Sequence, residues 1–493
     1  MWPGVARGQG HEADGGTRRG ALAITESDLR RHVFVIADDS MGGRDTPSPG
    51  LELTARYIAE EFRKAGVRPA GDSSGYLQRY PIATKVTDVA STVRFQVGDT
   101  RLDVTLGRDA RWTMGPRTGR PIAATTVLLA GPLGPDVTRS ISVKGRTILW
   151  AIDYTQPLGA QLTALDSLVA QHPAALVLLS NRDSASFAAR VELQLKPSVV
   201  VGIPPVTGPV VVEVHERAVG AVLAAVGTSV EELRHANAPV VRDLPELMIV
   251  TTVRESVQHQ VTAPNVVGIL EGSDPVLRNE FVVCSAHMDH VGIRKNVAGD
   301  SIWNGADDDA SGTAAIVELA KALAVAPPRR SVLFVTVSGE EKGLWGSDHF
   351  TAHPPVPIDR MVADINLDMI GRNWKDTIVV IGKEHSTLGA RLERVNAQHP
   401  ELGLQAIDDI WPQESFYFRS DHFNFARRGV PILFFFNGTH ADYHEPSDSP
   451  DKIDYEKEAR IVRLVYYLVQ DVASDAERPR WNPESYKKIV IPR

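Results

Sequence analysis

Short and almost uninterrupted apolar runs alternate with helical segments in the second half of the chain. Runs of this kind indicate strands buried on both faces of a mostly parallel sheet, and their alternation with helices indicates an α/β domain. The predicted strands are 281–286, 331–337, 361–367, 377–382 and 431–436, and the predicted helices are roughly 311–325, 345–353, 386–398, 420–428 and 455–473. The tail after Pro479 is rich in proline and is predicted to be extended along the surface.

The first half of the chain has other patterns. Residues 51–67 carry apolar side chains at helical spacing and end at Gly66, which predicts a helix. Residues 84–115 alternate between apolar and polar positions, which predicts a hairpin turning near Gly98–Asp99. From about 120 to 250, β-type runs alternate with helical pieces. We interpret this stretch as an inserted domain with its own small core; the alternative is a continuation of the main sheet.

These patterns predict a mixed, mostly parallel sheet sandwiched by helices, interrupted by a smaller β-rich insert. The predicted divisions are a disordered N-terminus (1–25), the first part of the main domain (26–115), the insert (116–250) and the remainder of the main domain (251–493). A length of 493 residues agrees with more than one domain, because single hydrophobic cores stop growing at about 250–300 residues.

Composition excludes several classes of function. The net charge is −8 and basic residues form no stripe interleaved with aromatic ones, so we expect no nucleic-acid partner. The chain contains no run of about 18 apolar residues, so no membrane span is expected. Its single cysteine, Cys284, lies within a predicted strand and is expected to be buried and inert rather than nucleophilic. The first twenty residues lack the apolar stretch of a signal peptide.

Side chains that bind metals follow several predicted strands in the second half of the chain. They are His287, Asp308, Glu341, Asp368 and His444. Because parallel strands bring their carboxyl ends to one crevice, we expect these residues to meet there. Oxygen and imidazole donors without a thiolate suit Zn²⁺, with Co²⁺ or Mn²⁺ as alternatives. Five ligands suffice for two ions if one carboxylate bridges them.

The neighbours of these residues also have expected roles. Asp289 is suited to accept a hydrogen bond from the second ring nitrogen of His287, whereas His290 is expected to be solvated. Three consecutive aspartates, 307–309, repel one another, and a bound dication would offset that repulsion. Asp309 or Ser311 is expected to cap the following helix. Adjacent side chains in extended backbone point in opposite directions, so Glu340 and Glu341 are predicted to serve the substrate and the metal separately.

Together the segments SAHMD, GADDDASG, SGEEKGLWGS, INLDMIGR and YHEPSDSPDKI resemble the M28 metallopeptidases, the co-catalytic zinc aminopeptidases. The resemblance covers about 262–470, and residues 26–84 look like the opening helix and strand of that family. It implies a zinc exopeptidase fold with two Zn²⁺ ions. His287 and Asp368 would hold one ion, Glu341 and His444 the other, and Asp308 would bridge them, with a cis peptide between Asp308 and Asp309.

The resemblance also implies how such a site would act. Glu340 matches the general base, Tyr443 would help to hold the oxyanion, and Asp421 and His422 are expected to have supporting roles. The predicted activity is removal of N-terminal residues from peptide substrates through a hydroxide that bridges the two zinc ions. The insert resembles a protease-associated domain. A periplasmic or extracellular location is implied, and a cytoplasmic one is left open.

Two other functions remain open at this point. A carboxypeptidase or dipeptidase of the same superfamily would be favoured by an arginine cluster that recognises the carboxylate of the substrate. A receptor-like binding protein on an inactive peptidase scaffold is disfavoured, because such relatives lack ligands or the base, and every one of those positions is filled in this chain.

Overall fold

The structure is a computed structural model that describes residues 8–201, 208–294 and 299–490. It divides into two compact units: unit 1 comprises Met1–Pro81 and Val261–Arg493, and unit 2 comprises Ile82–Gln260. In chain order the strands are β1 Arg68–Pro69, β2 Leu77–Thr87, β3 Thr92–Val97, β4 Thr100–Thr105, β5 Ala110–Met114, β6 Ile122–Ala130, β7 Thr147–Ile152, β8 Ala175–Ser180, β9 Ser198–Val201, β10 Val210–His215, β11 Val240–Thr252, β12 Glu255–Leu270, β13 Phe281–His287, β14 Ser331–Val337, β15 Met361–Leu367, β16 Thr377–Ile381, β17 Gln405–Ile407 and β18 Ile432–Phe435.

The helices follow the same order. They are α1 Gly8–Leu22, α2 Glu26–Ile36, α3 Pro49–Lys64, α4 Pro135–Ser140, α5 Leu158–Val169, α6 Ser184–Leu195, α7 Gly220–Ala225, α8 Val230–Arg234, α9 Gly312–Val325, α10 Trp345–Ala352, α11 Leu388–Gln398, α12 His422–Ala426, α13 Tyr455–Ser474 and α14 Pro483–Ile489. None of the helices in the described ranges is both long enough and apolar enough to cross a bilayer.

Unit 1 contains the main sheet, whose strands lie in the order β17-β16-β18-β15-β13-β14-β12. β13 runs parallel to both β14 and β15, and β15 runs parallel to β18. β12 and β16 are antiparallel to their neighbours β14 and β18. The four central strands therefore end at the same edge of the sheet. Their residues are buried almost throughout, which confirms the prediction of a mostly parallel sheet covered on both faces.

The predicted strands and most of the predicted helices of unit 1 are confirmed. Cys284 is buried in β13, as expected, and burial raises the pKa of its thiol. The extended tail is a wrong prediction, because α14 forms there. Pro483 occupies its first turn, the Asn482 side chain accepts a hydrogen bond from the backbone N–H of Glu484, and Ile489 is buried. These are ordinary helix-start signals that the proline content of the tail obscured.

The prediction that residues 1–25 are disordered is wrong over Gly8–Leu22, which form α1; residues 1–7 lie outside the described part. This helix packs against α9 and α13. A side chain at Gly20 would overlap Tyr466 and the backbone of Ala322, and Ala21 is buried. Gly20, one of the glycines that suggested disorder, therefore allows close approach between helices.

Unit 2 has a sheet of its own, in the order β4-β3-β11-β6-β7-β8-β10-β5. β6, β7, β8 and β10 run parallel, with helices between them in the chain. Two clusters of buried apolar side chains from this unit form its core. Apart from β9, which pairs with β2, the strands between 120 and 250 therefore do not continue the main sheet. The likeness of this stretch to a protease-associated domain stays a prediction.

The boundary of unit 2 lies at 82, not at 116 as predicted. The predicted hairpin does form, as β3 and β4. It belongs to unit 2 because β3 pairs with β11, from Thr92 opposite Thr252 to Val97 opposite Leu247. The hairpin is thus the edge of the second sheet, and no local pattern announces a pairing over that distance in sequence.

Candidate metal centre

The predicted ligands all lie at the carboxyl edge of the main sheet in unit 1. His287 is the last residue of β13, and Asp368 directly follows β15. Glu340 and Glu341 follow β14 after the turn at Ser338–Gly339. Asp308 lies in the turn before α9, and His444 lies in the loop after β18. Parallel strands deliver their ends to one crevice, and the structure brings these residues together there.

Two groups of side chains in this crevice could each hold a metal ion, and they share Asp308. In the first group, His287 Nε2 lies 3.3 Å from Asp308 Oδ1 and 3.6 Å from Asp368 Oδ1. In the second group, His444 Nε2 lies 3.1 Å from Asp308 Oδ2 and 3.0 Å from Glu341 Oε2. The two groups separate these side chains in the way that the family resemblance implies. Their binding of metal ions stays a prediction.

The second group contains a residue that the sequence did not indicate. His290 was expected to be solvated, but its side chain is completely buried, with Nδ1 2.9 Å from Glu341 Oε1 and 3.6 Å from Asp308 Oδ2. The expectation is wrong because the imidazole ring packs against the backbone of Gly305. This glycine has a φ of 57° and no side chain, which leaves room for the ring. The place of His290 three residues after His287 was the only signal in the sequence.

Hydrogen bonds to the carboxylates of Asp448 and Asp309 fix the turn that carries Asp308. The peptide bond between Asp308 and Asp309 is cis, as the resemblance implied. The backbone N–H groups of Asp307 and Asp308 donate to the carboxylate of Asp448, at 3.0 and 3.2 Å. Asp309 is buried, and its carboxylate accepts hydrogen bonds from the backbone N–H groups of Gly312, Met369 and His287. Asp309, rather than Ser311, therefore caps α9.

Asp289 contributes mainly to the position of Glu340. Its Oδ1 accepts a hydrogen bond from the backbone N–H of Glu340 at 3.2 Å, and its Oδ2 accepts one from the Thr46 hydroxyl at 3.1 Å. His287 Nδ1 lies 3.2 Å from the backbone carbonyl of Asp289 and 3.6 Å from its carboxylate. Nδ1 of His287 is thus closer to the backbone carbonyl of Asp289 than to the Asp289 carboxylate, which was the predicted partner.

A pocket opens beside the first group of ligands and has a volume of about 50 Å³. Glu340 and Tyr443 line it, and burial, with negative charge nearby, raises the pKa of Glu340 well above its usual value. Its walls are lined by His287, Asp308, Glu340, Asp368, Met369, Phe416, Arg419, Ser420, Phe434, Phe436, Thr439 and Tyr443. Aromatic rings and candidate metal ligands therefore line the same pocket.

Asp421 and His422 lie at the start of α12, and His422 contacts the aromatic wall of the pocket. Both side chains are completely buried. Burial raises the pKa of Asp421 to about 7 and lowers that of His422 to about 3. The His422 ring stacks on Phe434 at 4.2 Å between centroids, and its Nε2 lies 2.9 Å from the carbonyl of Tyr417. His422 is therefore a neutral packing residue behind the aromatic wall.

Arg44 joins the loops that carry the ligands, and nothing in the sequence pointed to it. Its guanidinium is completely buried and donates to the backbone carbonyls of Met288, Asn304, Gly305 and Ile36. Burial lowers the pKa of Arg44 to about 10, while the charges of Asp308 and Asp289 act in the opposite direction. This cation links the loop after β13 to the turn before α9.

Comparisons with known proteins find similarity to peptidases. Residues 265–469 match the sequence profile of Peptidase family M28. Aminopeptidase YwaD from Bacillus subtilis (strain 168) is 25% identical over 227 residues, which are 44% of this chain and 47% of that protein. A probable zinc metalloprotease from Leptosphaeria maculans is 32% identical over 231 residues, 41% of this chain and 51% of that protein. The chain spans about half the length of the curated relatives it matches.

Among solved structures, an aminopeptidase from Aneurinibacillus sp. strain AM-1 aligns with a TM-score of 0.47 at 18% identity, over 94% of this chain and 97% of that one. A zinc aminopeptidase from Bacillus subtilis aligns with the same TM-score at 17% identity, over 92% and 96%. The matched region 265–469 contains every predicted ligand, whereas Arg44 and Thr46 lie outside it.

Proposed function

Because residues 265–469 belong to peptidase family M28, we propose that this chain is a metallopeptidase that removes residues from the amino end of peptides. Curated relatives named as an aminopeptidase and as zinc metalloproteases support both the reaction and zinc as the metal. The observation that carries the proposal is the pair of side-chain groups that share Asp308, beside a pocket that Glu340 also lines.

The side chains fit zinc by the chemistry of their donor atoms and because several of these atoms have no hydrogen-bond partner among the described residues. Imidazole nitrogens and carboxylate oxygens are donors that zinc takes. Both ring nitrogens of His290, Nε2 of His444 and Oε1 of Glu341 are buried and make no hydrogen bond within the described residues. Such atoms are costly to bury unpaired, and a bound cation gives them a partner. His287 and Asp368 would hold one zinc, Glu341 and His444 the other, with Asp308 between them.

When bound, two zinc ions would act as Lewis acids on the scissile carbonyl and make water a better nucleophile near neutral pH. Glu340 is the residue that we propose takes a proton from the attacking water and returns it to the leaving amine. Its backbone is fixed by Asp289 and its side chain lines the pocket. A pKa raised by burial suits a group that must both accept and release a proton.

Tyr443 is proposed to donate a hydrogen bond to the oxygen that becomes negatively charged. Its side chain lines the same pocket, its ring stacks on His444 at 4.0 Å, and burial raises the pKa of its phenol, which keeps the proton in place. A donor that is already positioned where charge develops lowers the barrier without reorganisation. The rings of Phe416, Phe434 and Phe436 exclude water from the opposite wall.

The proposed direction of attack can be tested with a panel of aminoacyl-p-nitroanilides and their N-acetylated analogues. An aminopeptidase requires the free α-amino group, so acetylation is expected to abolish release of nitroaniline from every member that is cleaved. Equal rates on the free and acetylated compounds would contradict action at the amino end.

The role of Glu340 can be tested by Glu340→Gln in the zinc-loaded protein. Because a positioned general base contributes about 10²–10⁴-fold to a rate, kcat should fall by about that factor. Zinc content, measured by atomic emission, should stay at the wild-type value. Glu271→Gln is a suitable control, since that half-exposed carboxylate pairs with Arg68 and Arg278 at the surface. Unchanged kcat in Glu340→Gln would rule out the assignment.

Arg419 favours a second candidate, the hydrolysis of short peptides that are bound by their free carboxylate. Its side chain lines the pocket, is half exposed and lies over the Phe416 ring at 4.8 Å. Its ion pair with Glu414 is long, at 3.7 Å. If a substrate carboxylate binds here, Arg419→Met should lower kcat/KM on dipeptides far more than on the matching dipeptide amides. An equal effect on both would exclude this role.

A further inference from the structure

We propose that the imidazole of His290 binds the metal ion held by Asp308, Glu341 and His444, so that this position has four protein ligands and the neighbouring position three. The inference rests on the proposed function for the presence of two metal ions. It goes further by assigning His290 as a ligand and by giving the two metal positions different affinities and different roles.

The distances between the donor atoms support a shared ion. Around a tetrahedral zinc with bonds of about 2.0–2.1 Å, neighbouring donor atoms lie roughly 3.3–3.4 Å apart. His290 Nδ1 lies 2.9 Å from Glu341 Oε1 and 3.6 Å from Asp308 Oδ2. His444 Nε2 lies 3.0 and 3.1 Å from the same two carboxylates. Both imidazoles thus approach Oδ2 of Asp308, and each approaches a different oxygen of Glu341, at separations of 2.9–3.6 Å that lie around the edge length of such a tetrahedron.

An ordinary hydrogen bond does not account for the position of His290. Although Nδ1 is near Glu341, neither ring nitrogen of His290 has hydrogen-bond geometry to any partner among the described residues. The ring is nevertheless completely buried. A buried polar atom without a partner costs free energy. A metal ion between the two imidazoles and the two carboxylates supplies the missing partner for Nδ1.

The ring of His290 is held in this orientation by its surroundings. Its backbone N–H donates to the carbonyl of Arg44 at 3.3 Å, in the segment that also ties the neighbouring loops. Any side chain at Gly305 would overlap the imidazole, so the ring lies directly against the backbone there. The His444 ring meets it edge-on, with centroids 5.5 Å apart. A ligand fixed in this way loses little freedom when an ion binds.

The lining of the pocket indicates which of the two metal positions is accessible to water and substrate. The pocket lining includes His287, Asp308 and Asp368 from the three-ligand position. From the other position only the shared Asp308 reaches it, and His290, Glu341 and His444 do not line it. Zinc sites with four protein ligands are typically structural, whereas sites with three leave a place for water and substrate. We therefore assign tight, architectural binding to the position with His290 and substrate contact to the position with His287.

The first test is a calorimetric titration of the metal-free protein with zinc. Wild type should show two classes of site. In His290→Asn the tighter class should weaken by more than the ~10–100-fold that residues acting only through another ligand produce, and the weaker class should keep its affinity. His349→Asn, at a half-buried histidine on α10 away from the centre, should match wild type in both classes. Two unchanged classes in His290→Asn would overturn the inference.

The second test needs no variant and is a crystal structure of the zinc-loaded wild type with anomalous scattering at the zinc edge. The expected distance from Nδ1 of His290 to one zinc is about 2.0–2.1 Å. Two ions with His290 more than about 3 Å from both would overturn this inference and leave the proposed function standing. Failure of the protein to take up any zinc would overturn both.

Discussion

The carboxyl ends of parallel strands carry charged side chains in both units, but the charges are balanced in different ways. In unit 2, the buried carboxylate of Glu213 in β10 lies 2.6 Å from Arg111 and 3.4 Å from Arg182. Arg234 pairs with Glu216 and also donates to the last residue of β7 and to Leu179 of β8. Every one of these carboxylates has a guanidinium beside it.

Unit 1 leaves the same kind of edge with an excess of negative charge. Imidazoles lie there beside four carboxylates, those of Asp308, Glu340, Glu341 and Asp368. Among the described residues, the buried guanidinium that we find next to them belongs to Arg44, and it donates its hydrogen bonds to backbone carbonyls. Several of the polar atoms have no hydrogen-bond partner among the described residues. The topology of an α/β sheet offers a crevice in both units. The residues at the strand ends determine whether arginines balance the negative charge, as in unit 2, or whether room is left for the cation that we propose for unit 1.

The largest effect is expected from Asp308→Ala, which removes the carboxylate that both positions share. At free zinc of about a thousand times Kd, each bound ion stabilises the folded state by about 4 kcal/mol. Wild type should therefore gain stability with zinc, and the variant should lose nearly all of that gain. Denaturant unfolding with and without zinc measures it, with hydrogen exchange reporting unit 1 separately from unit 2.

Asp376→Ala is the control for this experiment, because the Asp376 side chain is exposed and accepts a hydrogen bond from the hydroxyl of the adjacent Thr377. It should keep the full gain with zinc. If Asp308→Ala also kept it, the contrast between the two units would not depend on a metal ion.

A smaller effect, confined to unit 2, is expected from Glu213→Leu. Removal of one partner from a buried ion pair costs about 3–5 kcal/mol, because the other charges are left buried and unpaired. Here Arg111 and Arg182 would face each other without the carboxylate between them. Urea unfolding and hydrogen exchange in β7, β8 and β10 should show the loss, while zinc affinity stays unchanged. A loss below 1 kcal/mol would mean that arginines do not balance this edge.

The smallest effect is expected from Asp243→Asn in the same unit. The Asp243 side chain is 72% exposed, and it pairs with Arg146 at the surface. Exposed pairs contribute about 0–1 kcal/mol because solvent screens them. The stability of this variant should therefore be within that range of wild type. A loss comparable to that of Glu213→Leu would show that burial is not what separates the two pairs.

Local patterns were sufficient for most of unit 1. Strands β13, β14, β15, β16 and β18 follow from near-continuous apolar runs, whereas the short β17 was not predicted. The candidate ligands follow from their places after those runs. The boundary of unit 2 could not be predicted, because it depends on the pairing of Thr92 with Thr252. The composition of α1 suggested disorder, since the close packing at Gly20 is a property of three helices together.

The candidate site was predictable where a residue type announced its chemistry. His287, Asp308, Glu341, Asp368 and His444 do so through their side chains. His290 has the same chemistry, but the sequence does not show whether the chain folds it inward or leaves it in water. The sequence did not indicate a role for Arg44, because its guanidinium binds backbone carbonyl groups. Every segment of a chain contains such groups, so no sequence pattern marks the partners of Arg44.

Arg44 stands 244 positions before Met288, one of the residues whose carbonyl it binds, and outside the region 265–469 that the family profile covers. A recombinant fragment trimmed to the profile would leave the carbonyl oxygens of Met288, Asn304 and Gly305 without their donor and would let the two loops separate. A shortened version of this protein should therefore begin upstream of α2, so that it contains Arg44 together with the loops that the guanidinium joins.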